Sequence, residues 1–410
     1  MQILLYFCSV NQRLTIIVLL VGLLLFDSPL YAAEKQPTKG LLFFYKIGRK
    51  IDNFCLLGVD TAFIGLPEYS WRAALTCSEI GIHSQYVAEN LPYWQNHNLG
   101  TIRMTTTTNL GADLGFQVGF RSFGFGYSWD VTNTYAQKLS FSFGGKAIGV
   151  EFSRQKCANT SGKLELLSYP NAKPITMPDK STVITNTNLS VWYALNWAHY
   201  SHNAAIKQGF LQRHSAGSLL LQASYMACNI EFLDQKVSAV LADSVSNLIT
   251  HQAAVGLGYG INFTPNHGKV ILHAAATAKM VFYTINQVTL LTSDAEHRLG
   301  IPNYTIKPTK PISFSGVMRA AVSWEICPWV HLSAWGQADN INFSSQTGES
   351  RVHLSNWNWQ AQIIVGVRFG AGRKRVNAAL PPEPINDCPT PEKPVKLPKW
   401  IREYFFSGRE

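Results

Sequence analysis

Charge is scarce in this chain: Asp, Glu, Lys and Arg make up 15% of its 410 residues, where a soluble protein carries about 25%. Long apolar runs are missing too. No internal stretch reaches the roughly 18 consecutive apolar residues of a membrane-crossing helix, which argues against a helical membrane protein. No CxxC pair occurs, so a zinc site has no support. No GxSxG in a strand-to-helix context is present, and no helix is read that could build a nucleophile elbow.

What the chain does have is alternation. Trp357, Trp359, Ala361, Ile363, Val365, Val367 and Phe369 share one parity, opposite Asn358, Gln360, Gln362, Ile364, Gly366 and Arg368. Period two is the side-chain period of a strand, with one face apolar. Aromatic ends around an apolar middle match the girdles of membrane barrels.

The pattern recurs. Ser70–Gly81 and Leu99–Thr108 are weak strands. Asp113–Phe120 and Phe123–Val131 form a hairpin around Arg121-Ser122, and a second hairpin turns at Gly144-Gly145. Further stripes follow at 189–197, 219–225, 252–264, 269–285, 318–326 and 330–334. Gly256, Gly258 and Gly260 fall on one face, where close packing or curvature is needed. The fold class expected is all-β, an antiparallel transmembrane β-barrel of about 12 strands, with 12–14 as the range. The stripes sum to an odd number, so one reading before residue 111 is wrong. A soluble β-sandwich is the alternative fold.

Connections near 121–122, 145, 265–268 and 327–328 read as short. Those at 157–186, 233–251, 286–311 and 345–356 read as long loops, the first with Pro170, Pro174 and Pro178. That asymmetry is expected of periplasmic turns and extracellular loops. Segment 200–214 is the exception, a long connection on the periplasmic side.

Four regions are expected. Residues 1–33 read as a signal peptide: Arg13, the apolar core Leu14–Phe26, Pro29, and small residues Ala32-Ala33. An uncleaved anchor is the alternative. Cys8 precedes the apolar core, so no lipoprotein anchor is indicated. Residues 34–69 form an N-terminal periplasmic or plug segment, and 70–370 the barrel. Residues 371–410 form a basic tail with Arg373-Lys374-Arg375, seven prolines and terminal aromatics, too polar to bury a core. The tail is either a disordered extension or a tether to peptidoglycan or a periplasmic partner. The expected location is the cell outer membrane, with outer-membrane lipid and the barrel-assembly machinery as partners and no nucleic acid or cofactor. The net charge of +10 suits anionic headgroups or plain loop solubility. For Cys55, Cys77, Cys157, Cys228, Cys327 and Cys388, free thiols and disulfides both stay open.

Several stretches resemble an outer-membrane barrel family of Bacteroidota known as domain of unknown function 4421. They are Val59–Ile64, Gly119–Ser128, and the run from His202 through Asn203-Ala204-Ala205 to Gln212–Ser218. An aromatic is usual near Ala204-Ala205, where this chain has none. The resemblance implies a barrel and no established activity.

Charge on a lipid face costs about 2–4 kcal/mol at mid-depth, so parity places Asp113, Glu151, Lys279, Arg319, Glu325 and Arg368 inside. They either pair and close the lumen or line a wet path. His273 and His331 sit on polar faces, as network members or a catalytic pair. For His199, His202 and His214 a solvated connection is expected rather than a metal site. Small-solute permeation and a closed structural or interaction barrel are therefore the two leading functions. A hydrolase is third.

Overall fold

The structure is a computed structural model. It describes residues 39–370 apart from 90–100, 109–110, 132–135, 159, 234–244, 291–302, 307–311 and 348–349. The expected signal peptide, the tail and Cys388 lie outside the described residues.

A helix comes first, α1 (Lys39–Leu56). It corrects the helix-free reading: Phe43, Ile47, Ile51, Phe54 and Cys55 recur at helical spacing, whereas only the patch Leu41–Tyr45 stands out in a search for period two. Among the described residues eighteen strands follow: β1 (Ile64–Gly65), β2 (Trp71–Glu89), β3 (Thr101–Thr108), β4 (Asp113–Phe120), β5 (Phe123–Asp130), β6 (Gln137–Gly144), β7 (Ile148–Cys157), β8 (Thr160–Leu166), β9 (Ile175–Met177), β10 (Thr182–Ala194), β11 (Leu211–Gln212), β12 (Ala216–Phe232), β13 (Val245–Phe263), β14 (Val270–Leu290), β15 (Asn303–Ile306), β16 (Ser313–Cys327), β17 (Val330–Thr347) and β18 (Ser350–Phe369).

Twelve strands make a closed antiparallel ring in the order β2, β4, β5, β6, β7, β10, β12, β13, β14, β16, β17, β18. Closure runs from Phe369↔Trp71 to Arg351↔Glu89. A closed ring leaves no open edge, and a sandwich is ruled out. Outward positions are apolar and exposed, among them Leu75, Phe125, Val191, Leu257, Ile363 and Val365. Such a belt is an aggregation surface in water and a solvation shell in lipid.

At the end that holds α1 and Phe369, the proximal rim, aromatics line up across five strands. Trp71 lies 4.6 Å from Phe120 and stacks at 6.4 Å on Phe369, and Phe123 meets Phe143 at 5.0 Å. The β4–β5 turn at this rim puts Arg121 at φ 52°, a left-handed conformation that costs a non-glycine residue about 1–2 kcal/mol. Its guanidinium is held by an ion pair with Asp52 and lies 5.3 Å from the Phe120 ring.

The opposite, distal end is taller on one side. β4, β5 and β6 have 8 residues each, but β2 has 19 and β14 has 21. β4 leaves β2 at Ser78, and β3 takes over that edge from His83 to Glu89. β8 and β9 extend this side sheet. Leu99–Thr108 is therefore not a ring strand, and its removal explains the odd count.

All four long-loop assignments are corrected in part: 233–251 holds the start of β13, and 286–311 holds the end of β14 and all of β15. Segment 157–186 contains β8, β9 and the start of β10. Segment 345–356 is strand at 345–347 and 350–356: β17 and β18 stay paired to Thr347↔Ser350. Polar residues outside the membrane hide the strand period there, while the backbone ladder continues. Cys55, Cys77, Cys157, Cys228 and Cys327 are all free.

Candidate functional site

The interior is filled in three layers. Inward parity on long strands supplies the distal layer: Ile82, Ile184, Met226, Ile230, Phe343 and Leu354 pack with Ile102, Met104 and Leu164 of the side sheet in one apolar cluster. This cluster joins apolar side chains of β2, β17 and β18 to those of β10 and β12 across the distal end, and it closes the lumen at that level.

The middle layer is polar and spans the barrel. Asn186 of β10 donates to Asn358 of β18 at 2.7 Å. Asn356 of β18 donates to the Cys228 sulfur at 3.1 Å. Arg319 of β16 pairs with Glu151 of β7 at 2.7 Å, and Lys138 of β6 bonds Gln360 of β18. Between these contacts remains a cavity offering about 90 Å³ to the centres of water-sized molecules, room for a few waters. Lys138 and Lys207 lie 5.6 and 5.7 Å from the ring of Trp335, which also borders it.

The proximal layer is the connection between β10 and β12. Ser201, His202, Asn203, Ala204, Ala205 and Ile206 are all buried, so the expected solvated connection is corrected for His202, whose segment enters the lumen, while His214 is exposed and His199 partly so. Gln212 organises it. Its amide donates to the carbonyls of His199 and His214 at 2.6 and 2.9 Å and accepts from Ser201 N at 2.9 Å. Asn262 donates to Ser201 O at 2.8 Å and to Gln212 at 3.1 Å. Tyr200 bonds His202 at 3.0 Å, and His202 packs 4.7 Å from Trp192, whose indole occupies the space a side chain at Gly149 would need. Gly260 likewise makes room for the Tyr200 hydroxyl, the close approach that the glycine stripe anticipates. Ala204 and Ala205 fit against Ile271 and Ala321, a gap that an aromatic ring would overfill.

This segment lies between the ring strands rather than in one. Burial first, then the charges of His273 and Arg319, hold the His202 imidazole well below its ordinary range. Burial also pulls the Lys207 ammonium down, against the attraction of Glu151.

From outside, β1 pairs with β11, Arg213 N donates to Phe63 O at 2.7 Å, and Asp60 N donates to Ala198 O at 2.9 Å. Cys55, Val59, Ile64 and Phe210 share a small core. The Val59–Ile64 and His202–Ser218 stretches are thus one structural unit.

The eight residues singled out by parity divide as follows. Glu151 and Arg319 form the central pair. Glu325 and Arg368 form a second at 3.1 Å near the proximal end, where Arg368 also donates to Gln208 at 3.3 Å. Lys279 is buried on β14. Asp113 is buried in register with Asp130, apart from both pairs. His273 bonds Asn262 at 2.8 Å through Nδ1, and its Nε2 has no hydrogen-bond partner among the described residues. His331 occupies the space beside Gly366. The two histidines are not brought together with a nucleophile by any of these contacts. No cluster of three His, Cys, Asp or Glu suited to a metal occurs among the described residues. Sequence parity could have added Lys138, Trp335 and Asp339. Tyr200, Lys207, Gln208 and Gln212 carry no periodic signal.

A closed ring with an apolar exterior and a filled polar interior defines a transmembrane β-barrel. Its sequence matches the family described as domain of unknown function (DUF4421) over residues 89–369, and the chain belongs to that family. No curated protein matches it significantly in sequence. Among solved structures it is similar to the outer membrane protease OmpT from Escherichia coli (9% identity, 74% of this chain and 98% of that chain, TM-score 0.34). It is also similar to the translocator domain of autotransporter NalP from Neisseria meningitidis (13%, 80% and 96%, 0.29) and to outer membrane protein OprG from Pseudomonas aeruginosa (10%, 75% and 99%, 0.28). At these scores no residue-level correspondence and no activity carries over.

Proposed function

We propose that the protein is an outer-membrane barrel with a closed lumen, serving a structural or interaction role in the envelope rather than acting as an open pore. The observation that carries this is contact between opposite walls, Asn186 with Asn358 and Glu151 with Arg319, between an inserted proximal segment and an apolar distal layer. An open porin leaves an aqueous channel at its centre. Here the cavity between those contacts has room for a few waters. The even ring, the lipid-facing belt and the aromatic proximal rim support an outer-membrane setting with that rim on the periplasmic side.

A permeation role is the second reading, favoured by one observation: the polar middle layer is sealed proximally by a single inserted connection, Tyr200–Gln208. Planar-bilayer recording of the purified protein tests both. Background current is expected. Steady, large open-channel currents would overturn the closed-lumen reading and favour permeation.

A further inference from the structure

The cavity in the middle layer is short of negative charge. Three cations border it, Lys138, Lys207 and Arg319, against two carboxylates, Glu151 and Asp339. Neither carboxylate forms an ion pair with these lysines among the described residues. Glu151 holds Arg319 at 2.7 Å. Asp339 accepts from the amides of Gln337 and Asn358 at 3.0 and 2.9 Å. Positive charge is thus left without a counter-charge in a space closed above and below.

The donors around that space lack acceptors. Among the described residues the Lys207 ammonium makes no hydrogen bond and no ion pair; its contact is the ring of Trp335, 5.7 Å away. Lys138 lies 5.6 Å from the same ring and gives a proton to Gln360 Oε1. That bond fixes the Gln360 amide with its nitrogen turned elsewhere, and Nε2 is buried without a partner, as is Arg319 Nε. A ring face compensates an ammonium only in part. Burying a charge is costly unless an opposite charge and hydrogen bonds meet it. The carbonyls of Asn186 and Asn188 and Glu151 Oε1 also lack donors. Waters bridge orphan groups of both kinds, but water balances no charge.

We propose that the lumen holds a monovalent inorganic anion of halide size, bound by the Lys207 and Lys138 ammoniums and the Gln360 amide beside Trp335. Room for a few waters suits such an ion with water beside it and is too small for a sugar acid. Lys207 belongs to the inserted connection, Lys138 to β6 and Gln360 to β18, so the ion fastens that connection to the barrel wall. The proposal rests on the filled lumen and not on the protein's role in the envelope.

The test uses the full-length protein refolded in phosphatidylcholine vesicles. The urea midpoint for loss of the heat-modifiable folded band is followed as sodium gluconate is exchanged for sodium bromide at constant ionic strength. Binding to the folded state alone raises the midpoint by mass action. The midpoint is expected to rise with bromide, although bromide lacks the general stabilising effect of kosmotropic salts. Lys207→Met should lose that rise. Gln360→Glu gives the two ammoniums a fixed carboxylate; it should raise the midpoint in gluconate and leave no response to bromide. A wild-type midpoint indifferent to bromide, or a full rise in either variant, would overturn the site. If Lys207→Met does not fold, the Gln360→Glu response decides alone. Crystals grown in bromide should show an anomalous peak beside Lys207 Nζ. A peak there with no midpoint shift would mean binding at crystal concentration only and would likewise overturn the proposal. Steady large currents in the bilayer recording would overturn the closed lumen, and the bromide response would still decide the site.

Discussion

Asn186 on β10 and Asn358 on β18 share a 2.7 Å hydrogen bond although half the ring separates their strands. The barrel is narrow enough at mid-height for opposite walls to touch. Interior residues therefore act on one another as a core does, and their substitutions should read out as stability.

Glu151→Gln leaves Arg319 buried beside a partner that no longer carries charge. Breaking one side of a buried ion pair costs about 3–5 kcal/mol, whereas replacing both members by apolar residues of similar volume is near neutral. Glu151→Gln should lower the urea midpoint for loss of the heat-modifiable folded band. The double variant Glu151→Leu, Arg319→Met should recover most of it. Equal midpoints for single and double variants would show that the pair is not energetically coupled.

Gln212→Ala removes an amide that serves three backbone groups and Asn262 at once. Each buried group left without a partner costs about 1–3 kcal/mol. Deuterium uptake at 199–212 should rise sharply while uptake in the distal layer stays at its wild-type level. Uniform uptake would mean that the segment is held by something other than Gln212.

Gly260→Ala sets a methyl group against the Tyr200 hydroxyl. The segment must shift, at a cost on the order of 1–3 kcal/mol typical of overpacking. Tyr200→Phe withdraws the clashing oxygen and should relieve most of that loss in the double variant, after allowance for its own lost bond to His202. A strictly additive cycle would separate the two positions.

His202 makes the segment sensitive to acid. Its folded pKa lies well below its unfolded value of about 6.5, so the unfolded state binds protons first as pH falls. Its contribution is complete above about pH 6.5 and declines as the pH drops from there toward the depressed folded value. Proteolysis or exchange within 199–212 should accelerate on acidification through that window, and His202→Gln should flatten the response. His273, Arg319 and Glu151, which act on the same ring, remain in that variant, so an unchanged acid response would assign the sensitivity to them.

Much of this architecture is legible along the chain, for a physical reason. Inside the membrane each outward residue meets lipid and each inward residue meets the lumen, so period two is enforced at nearly every position from Asp113 to Phe152. Beyond the bilayer that pressure ends. The strands at 345–347, 350–356 and 160–166 keep their ladders but carry polar residues such as Arg351, His353, Lys163 and Glu165 where a membrane strand is apolar, and they read as loops. Thr101–Thr108 fails in the opposite way: it alternates because it covers the edge of β2, which demands the same pattern without membership of the ring.

The site divides along the same line. Sequence parity alone determines that Glu151, Arg319, Glu325 and Arg368 face inward, because each would cost several kcal/mol in lipid. It does not determine which pair with which, since pairing across a barrel depends on shear and flattening that arise only when the ring closes. Nor does it disclose that Tyr200–Gln208 turns into the lumen. A polar connection with histidines and small residues has the composition of a solvent-exposed loop. Only the tertiary structure supplies the Gln212 and Asn262 amides, the glycine stripe and the alanine-sized gap that make burial cheaper for it than water.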